Sequence, residues 1–280
     1  MDGQLEPPCR YVVRNEPMLR YAVRLLVVMV LLFSGGGPRQ AGGAEGNPFP
    51  KRSGTDYLAP QLRTMQEDDD QNPAFLWVDQ ADTTWTRIEG KAGRSCESCH
   101  GAVENLRGVA ARYPLWQEAM GRPVNLEQRI NLCRTGNMEA EAWPYESDPL
   151  LGMTALVGLH SRGMPVDVLG DGPMRAWYEK GRDFYYARRG QLDCTCAHCH
   201  DENAGKKLRG DTLSQGHPNG FPTYRLGWQK LGSLHRRLLA CGRDLRAETY
   251  ALGSDEYLAL EIFLAVRARG LPMETPAVRK

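Results

Sequence analysis

Two five-residue stretches, Cys96-Glu-Ser-Cys99-His100 and Cys196-Ala-His-Cys199-His200, constrain this chain more than anything else in it. Each is a C-x-x-C-H motif, the attachment signature of a c-type haem. Two thiols close thioethers onto the macrocycle, and the His that follows supplies one axial ligand to the iron. One such motif is a weak sign, because zinc and dithiol redox sites also use C-x-x-C. Two of them, with histidines 100 residues apart, point to two covalently bound haem c groups held by Cys96, Cys99, Cys196 and Cys199, with His100 and His200 as proximal ligands.

The sequence after each motif repeats. Arg129-Ile-Asn-Leu-Cys133 matches Arg237-Leu-Leu-Ala-Cys241, Ser147-Asp148 matches Ser254-Asp255, and Arg162-Gly-Met-Pro165 matches Arg269-Gly-Leu-Pro272. From Cys to Pro is 32 residues in one half and 31 in the other. The expected fold is mainly α: two tandem cytochrome c-like haem domains from an internal duplication, residues 45–168 and 169–280, with a Gly-containing linker near 165–172. Periodicity and stop signals predict helices over Asp56–Asp70, Val124–Cys133, Ser147 to about Ser161, Pro173–Arg189, Trp228–Cys241 and Ser254–Ala268. The Gly- and Pro-rich stretches 45–60 and 205–224 read as an extended leader and a loop. Trp77, Trp85, Trp177, Phe184 and Tyr185 read as core or haem-packing residues.

Residues 1–44 read as a secretory signal. Arg20 and Arg24 precede the apolar run Leu25–Phe33, and small residues at Gly42 and Ala44 suit cleavage. A run of nine fits an export signal and falls short of the ~20 residues a spanning helix needs. The chain is therefore expected in a periplasm, without stable membrane insertion. Its formal net charge of +1 implies no nucleic-acid partner. Cys9 leaves with the signal, so Cys133, Cys194 and Cys241 remain outside the two motifs. Three is odd, and at least one must be free, metal-bound or paired with another molecule.

What binds the far face of each iron follows by elimination. Electron-carrying cytochromes c commonly use Met, but the only Met after His200 is Met273, in a short tail. His217 lies in a loop before Pro218 and reads as exposed. His235 lies off the stripe Leu231, Leu234, Leu238, Cys241, Leu245, and Cys241 lies on it. Cys133 takes the equivalent place in the first half, where Met120, Met138, Met153 and Met164 keep Met ligation open. A Cys133–Cys241 disulfide, or two buried thiols, is the plain alternative. Arg237 is one turn before Cys241, on the same helical face. It could bind an oxyanion through paired hydrogen bonds, or equally a haem propionate or a surface carboxylate. Arg129 stands in the same relation to Cys133. Lys206, Lys207, Arg209 and Lys230 could make the second entrance cationic. Cys194 has no evident role, and His198, inside the motif, points away from the iron.

These residues resemble the SoxA family, the dihaem subunit of the SoxAX cytochromes of bacterial thiosulfate oxidation. The likeness spans nearly all of the chain after the signal: Asn72-Pro, Trp77-Val-Asp79, Cys96-Glu-Ser-Cys-His100, Arg129-Ile-Asn-Leu-Cys-Arg134, Ser161-Arg-Gly163, Cys196-Ala-His-Cys-His200 and Arg237-Leu-Leu-Ala-Cys241. It implies an L-cysteine S-thiosulfotransferase. Such an enzyme pairs with a monohaem SoxX-type subunit and joins thiosulfate to a cysteine on the SoxY part of the SoxYZ carrier. Two electrons pass through haem to a downstream cytochrome c. By motif, His100 and Cys133 would bind the first iron, and His200 and Cys241 the second. Cys241, as a persulfide, would be the catalytic sulfur, and Arg237 would bind substrate. Cys194 has no counterpart in that pattern. The rival reading is a non-catalytic dihaem electron-transfer cytochrome c, which would need Met or His as distal ligands.

Overall fold

A computed structural model describes residues 50–280. The expected signal segment and Cys9 lie outside the described residues. Among the described residues nine α-helices are joined by short strands and 3-10 turns: α1 Pro60–Glu67, α2 Phe75–Trp85, α3 Cys96–His100, α4 Leu126–Asn137, α5 Asp148–Leu159, α6 Arg175–Tyr186, α7 Cys196–His200, α8 Leu234–Asp244 and α9 Asp255–Ala268. Among the described residues no helix is long and apolar enough to cross a membrane.

Local signals set the helix starts. Ser147 precedes α5, with Asp148 and Pro149 in its first turn; Ser254 caps α9 by accepting from Tyr257 N at 3.4 Å. Ser254 thus ties down a free N–H of its first turn, whereas Ser147 makes no side-chain capping bond and α5 relies on Pro149 in its first turn instead. The two motif helices use one device. The Ser95 hydroxyl accepts from Ser98 N at 3.1 Å, and the Thr195 hydroxyl accepts from His198 N at 3.1 Å. In return Thr195 N donates to His198 Nδ1 at 2.8 Å. His198 therefore closes a capping box, a role its place inside the motif conceals.

The two halves share further local features. An antiparallel bridge pairs Glu89 with Arg94 before α3, and another pairs Arg189 with Cys194 before α7. A Cβ on Gly90 would lie 2.0 Å from Met138 O, and one on Gly190 would lie 2.2 Å from Leu245 O. Each glycine thus lets the loop before a motif touch the end of the helix that carries Cys133 or Cys241. In each half the helix before the motif packs on the helix after the thiol, α2 on α5 and α6 on α9.

The halves also share a core. One apolar cluster joins Val157 and Val166 to Ala265, Ala268 and Met273. The leader crosses to the other half: Asn72 donates to Pro276 O at 2.9 Å, and Arg52 N donates to Gln215 Oε1 at 2.7 Å. Of the aromatics expected in the core, Trp85 and Tyr185 are buried, while Trp77, Trp177 and Phe184 are half-buried.

The expected helix over Trp228–Cys241 is two elements. The strands are β1 Leu115–Gln117, β2 Arg122–Val124, β3 Lys207–Leu208, β4 Asp211–Thr212, β5 Thr223–Arg225, β6 Lys230–Gly232 and β7 Ala277–Arg279. β5 lies between β6 and β7, antiparallel to the first and parallel to the second. The helix starts only at Leu234, where the Ser233 hydroxyl accepts from Arg236 N at 3.1 Å. Leu231 is in β6 and packs with Val78, Trp85 and Leu156 of the first half, so it is not part of the Cys241 stripe. Within the stretch read as a loop, residues 205–224, the β3–β4 hairpin forms.

Candidate functional site

The site in the second half is built from α7 and α8. His200 on α7 is half-buried, and its Nδ1 lies 2.7 Å from Ser214 O. A carbonyl can only accept, so Nδ1 carries the proton and Nε2 keeps its lone pair for a metal. The chain reaches that carbonyl through Gly216, at φ +72°, where a Cβ would sit 3.0 Å from the imidazole. α8 brings the Cys241 thiol within interaction range of the His200 side chain. A proximal imidazole with its outer nitrogen fixed, a facing thiol and two further thiols on the imidazole's own helix fit a covalently attached haem with His and Cys on its two faces. Among the described residues no group of three or more His, Cys, Asp or Glu side chains is arranged to hold a bare metal ion.

Desolvation pushes the Cys196 thiol up to about 12 and also raises Cys199, with the nearby Cys241 charge adding to both. Cys241 is desolvated too, but the Arg237 guanidinium and the His200 contact outweigh that and bring it down to about 7. Of the three thiols around His200, Cys241 alone is substantially a thiolate near neutrality, and the thiolate is the form that ligates metals and attacks electrophiles.

The other candidate ligands of this half are committed elsewhere. His235 is fully buried, with Nε2 2.9 Å from Glu261 Oε2 and Nδ1 accepting from Gly253 N at 2.9 Å. Met273 is buried in the shared apolar core. His217 is half-buried rather than exposed, and lies 3.3 Å from Gln215 Oε1. Desolvation, then Arg267 and Lys51, hold it down at about 3, so it is neutral.

Arg237 makes no side-chain hydrogen bond or ion pair among the described residues. The Cys241 charge raises its pKa against the opposing effect of desolvation. Asp244 and Asp211 are within electrostatic reach of it, but they pair with Arg209 at 3.0 Å and Lys280 at 3.5 Å. The four cations expected at the entrance are engaged: Lys206 with Asn203, Lys207 with Thr212, Arg209 with Asp244 and Lys230 with Asp148. A cation the sequence did not single out, Arg225 at the end of β5, lies instead within the field of Arg237 and Cys241.

The first-half site has the same residue types in different surroundings. His100 is exposed and its ring makes no hydrogen bond among the described residues; the Trp85 ring lies 5.9 Å away. Cys133 on α4 is half-buried, and its charge is felt by Cys96 and Tyr113. Arg129, the counterpart of Arg237, reaches Gln117 Oε1 at 3.5 Å. Arg134, beside Cys133, is buried, paired with Glu89 at 2.7 Å and held 3.7 Å over the Trp143 ring. Of the methionines open as ligands here, Met138 and Met153 are buried and Met120 is exposed.

Cys133 and Cys241 are both free, so they do not form the alternative disulfide. Cys194, to which the sequence assigns no evident role, is buried beside the second motif.

Residues 80–166 match the family model described as SoxA/TsdA, cytochrome c domain. Two curated relatives are named L-cysteine S-thiosulfotransferase subunit SoxA. One, from Pseudaminobacter salicylatoxidans, is 42% identical over 244 residues, covering 86% of this chain and 85% of that protein. The other, from Rhodovulum sulfidophilum, is 43% identical over 229 residues, covering 81% and 80%. A chain in the crystal structure of SoxXA from P. pantotrophus superposes with a TM-score of 0.79 at 42% identity, covering 81% of this chain and 86% of that one. The fold is cytochrome c-like.

Proposed function

The chain belongs to the SoxA family, and from that membership and the Cys241 pocket we propose that it is the catalytic subunit of an L-cysteine S-thiosulfotransferase. It joins thiosulfate to a carrier-protein cysteine, SoxY of SoxYZ, in the net reaction R–SH + S2O3(2−) → R–S–S2O3(−) + H+ + 2 e−. The observation that carries this reading is the Cys241 thiol set against His200 with an unpaired guanidinium one turn away.

In this reading Cys241, as thiolate or persulfide, is the nucleophilic sulfur that holds the transferred sulfur group. Arg237 binds thiosulfate oxygens and lowers the repulsion between two anionic sulfurs. The Ser214 carbonyl holds His200 Nδ1–H, which leaves Nε2 free to bind a metal. Haem supplies the route by which the two electrons leave toward a downstream cytochrome c. Cys96 and Cys99, and Cys196 and Cys199, would attach two haem c groups, and His100 with Cys133 and His200 with Cys241 would hold their irons. The partner is a SoxX-type monohaem subunit, and export by residues 1–44 places the complex in the periplasm. The paired caps, bridges and glycine contacts support an internal duplication, with units at 45–168 and 169–280.

Electron paramagnetic resonance of the oxidised, haem-loaded protein beside Cys241→Met tests the assignment. Two low-spin thiolate-type signals, one of them lost in the variant together with conjugating activity, are expected. A wild-type spectrum with only His/Met or His/His haem would refute Cys241 as a ligand and return the chain to an electron carrier.

A further inference from the structure

We propose that Arg225 is a second anion-binding residue of the Cys241 pocket, sharing with Arg237 the oxygens of the thiosulfate-type dianion. The proposal rests on the reading of Cys241 as the reacting sulfur and extends it to a residue sixteen positions earlier on a different element.

The backbone at Arg225 is fixed. Its carbonyl accepts from Trp228 N at 2.9 Å and from Gln229 N at 2.8 Å, and it stands in register with Lys230 of β6 and Arg279 of β7. Its two neighbours in that row have counter-ions: Lys230 pairs with Asp148 at 3.0 Å, and Arg279 with Glu274 at 2.6 Å. Arg225 has none, and its side chain makes no hydrogen bond among the described residues. What holds it is an aromatic ring, with its guanidinium 5.2 Å from the centre of Trp228.

That ring is itself held. A Cβ at Gly232 would lie 2.3 Å from Trp228, so the indole rests directly on β6. The same ring carries Arg236 at 4.2 Å, and Arg236 has Glu146 at 3.6 Å. Trp228 thus positions a half-buried cation without neutralising it. The direction in which that cation acts follows from its neighbours. The like charge of Arg237, the opposite charges of Asp211 and then Cys241, and the like charge of Arg279 act on it. Two guanidinium groups held near each other repel, and burial strengthens the repulsion. The nearby carboxylates are already paired, Asp211 with Lys280 at 3.5 Å and Asp244 with Arg209 at 3.0 Å, so neither guanidinium has one within ion-pair distance. A tetrahedral dianion with three oxygens matches two planar forks better than one, because each fork can give two parallel N–H donors.

The test uses the haem-loaded complex with Arg225→Gln and Arg225→Met; the second keeps an apolar stem against Trp228. Two quantities are measured: turnover of thiosulfate with the carrier protein as acceptor, and thiosulfate binding by calorimetry without acceptor. Loss of one charge-assisted fork is expected to weaken binding and raise KM roughly tenfold or more, with kcat changed far less. The low-spin thiolate resonance should be unchanged in whichever variant loads haem. Thiosulfate Kd and KM within about twofold of wild type in such a variant would overturn the role of Arg225. If the wild type binds thiosulfate but does not conjugate it, the transferase reading fails, and the calorimetric comparison still decides Arg225. A wild type that binds no thiosulfate overturns both.

Discussion

The two thiol sites of this molecule share residue types and local construction yet differ in everything around them. Both motif helices are capped from the preceding hydroxyl, and both thiols sit four residues after an arginine. In the second half the imidazole is anchored to Ser214 and interacts with the thiol, while among the described residues neither Arg237 nor Arg225 has a carboxylate within ion-pair distance. In the first half the imidazole is exposed, Arg129 reaches a neutral amide, and Arg134 is neutralised by Glu89. A ligand set alone therefore does not make a reaction site. On the proposed reading the unpaired positive charge does, because it both favours the thiolate and would attract an anion to it.

Replacing the thiols gives the sharpest contrast. Cys241→Met should abolish thiosulfate conjugation, a loss on the order of a thousandfold or more, because no other sulfur is placed to bond the substrate. Cys133→Met should leave turnover within about threefold while altering the spectrum of the first haem. Steady-state assay of both variants breaks the comparison if Cys133→Met is the inactive one. One level down, Arg237→Gln should raise KM for thiosulfate roughly 10- to 100-fold, against less than about twofold for Arg129→Gln. Equal losses would mean that the arginine supports haem or fold alike in both halves.

A smaller effect is expected at Gly216. Its φ of +72° already disfavours a side chain, and a methyl would press on the His200 ring 3.0 Å away. Gly216→Ala should lower stability by about 1–2 kcal/mol and shift only the second haem's spectrum. Turnover should fall severalfold at most. A shift in both haem spectra would show that the halves are coupled more tightly than the His200 contact alone requires.

The parts legible in the sequence are those written locally. Ser147-Asp148-Pro149 and Ser254-Asp255 marked helix starts because a Pro or a hydroxyl at the first turn acts locally, although only Ser254 makes a side-chain cap. Cys241 and Arg237 could be read together because one turn of helix joins them. Arg225 could not, since its approach to them depends on strand pairing and on Trp228 lying over Gly232. The same strand misled the periodicity at Leu231: its spacing extends the stripe of α8 backward, but pairing of β6 with β5 takes the backbone and leaves the side chain to the shared core. His217 looked exposed from its loop and Pro neighbour, and only packing beside Lys51 and Arg267 shows it half-buried and neutral.

The smallest effect on turnover, and the one that asks most about how the halves are joined, is expected at Glu127. It lies on α4, the helix of Cys133, and lines a cavity of about 60 Å³ with Thr154, Leu234 and Glu261. Glu261 in turn holds His235 of α8, the helix of Cys241. Desolvation, with the charge of Glu261 next, raises Glu127 from 4.5 to about 8. An acid with a raised folded pKa binds more protons folded than unfolded between those values, so stability falls as pH rises across that window. The stabilisation is complete below about 4.5 and gone above about 8. The slope is at most ~1.4 kcal/mol per pH unit. Glu127→Gln keeps the shape and cannot ionise, so it should remove this slope while leaving conjugation unchanged. Unfolding of the haem-loaded wild type and variant by denaturant at pH 5, 6, 7 and 8 compares the two slopes, the difference being Glu127 together with its coupling to Glu261. Parallel stability curves would show that Glu127 ionises freely in the fold. A variant flatter than wild type but with altered turnover would show that the carboxyl between α4 and α8 serves the reactive half as well as the joint.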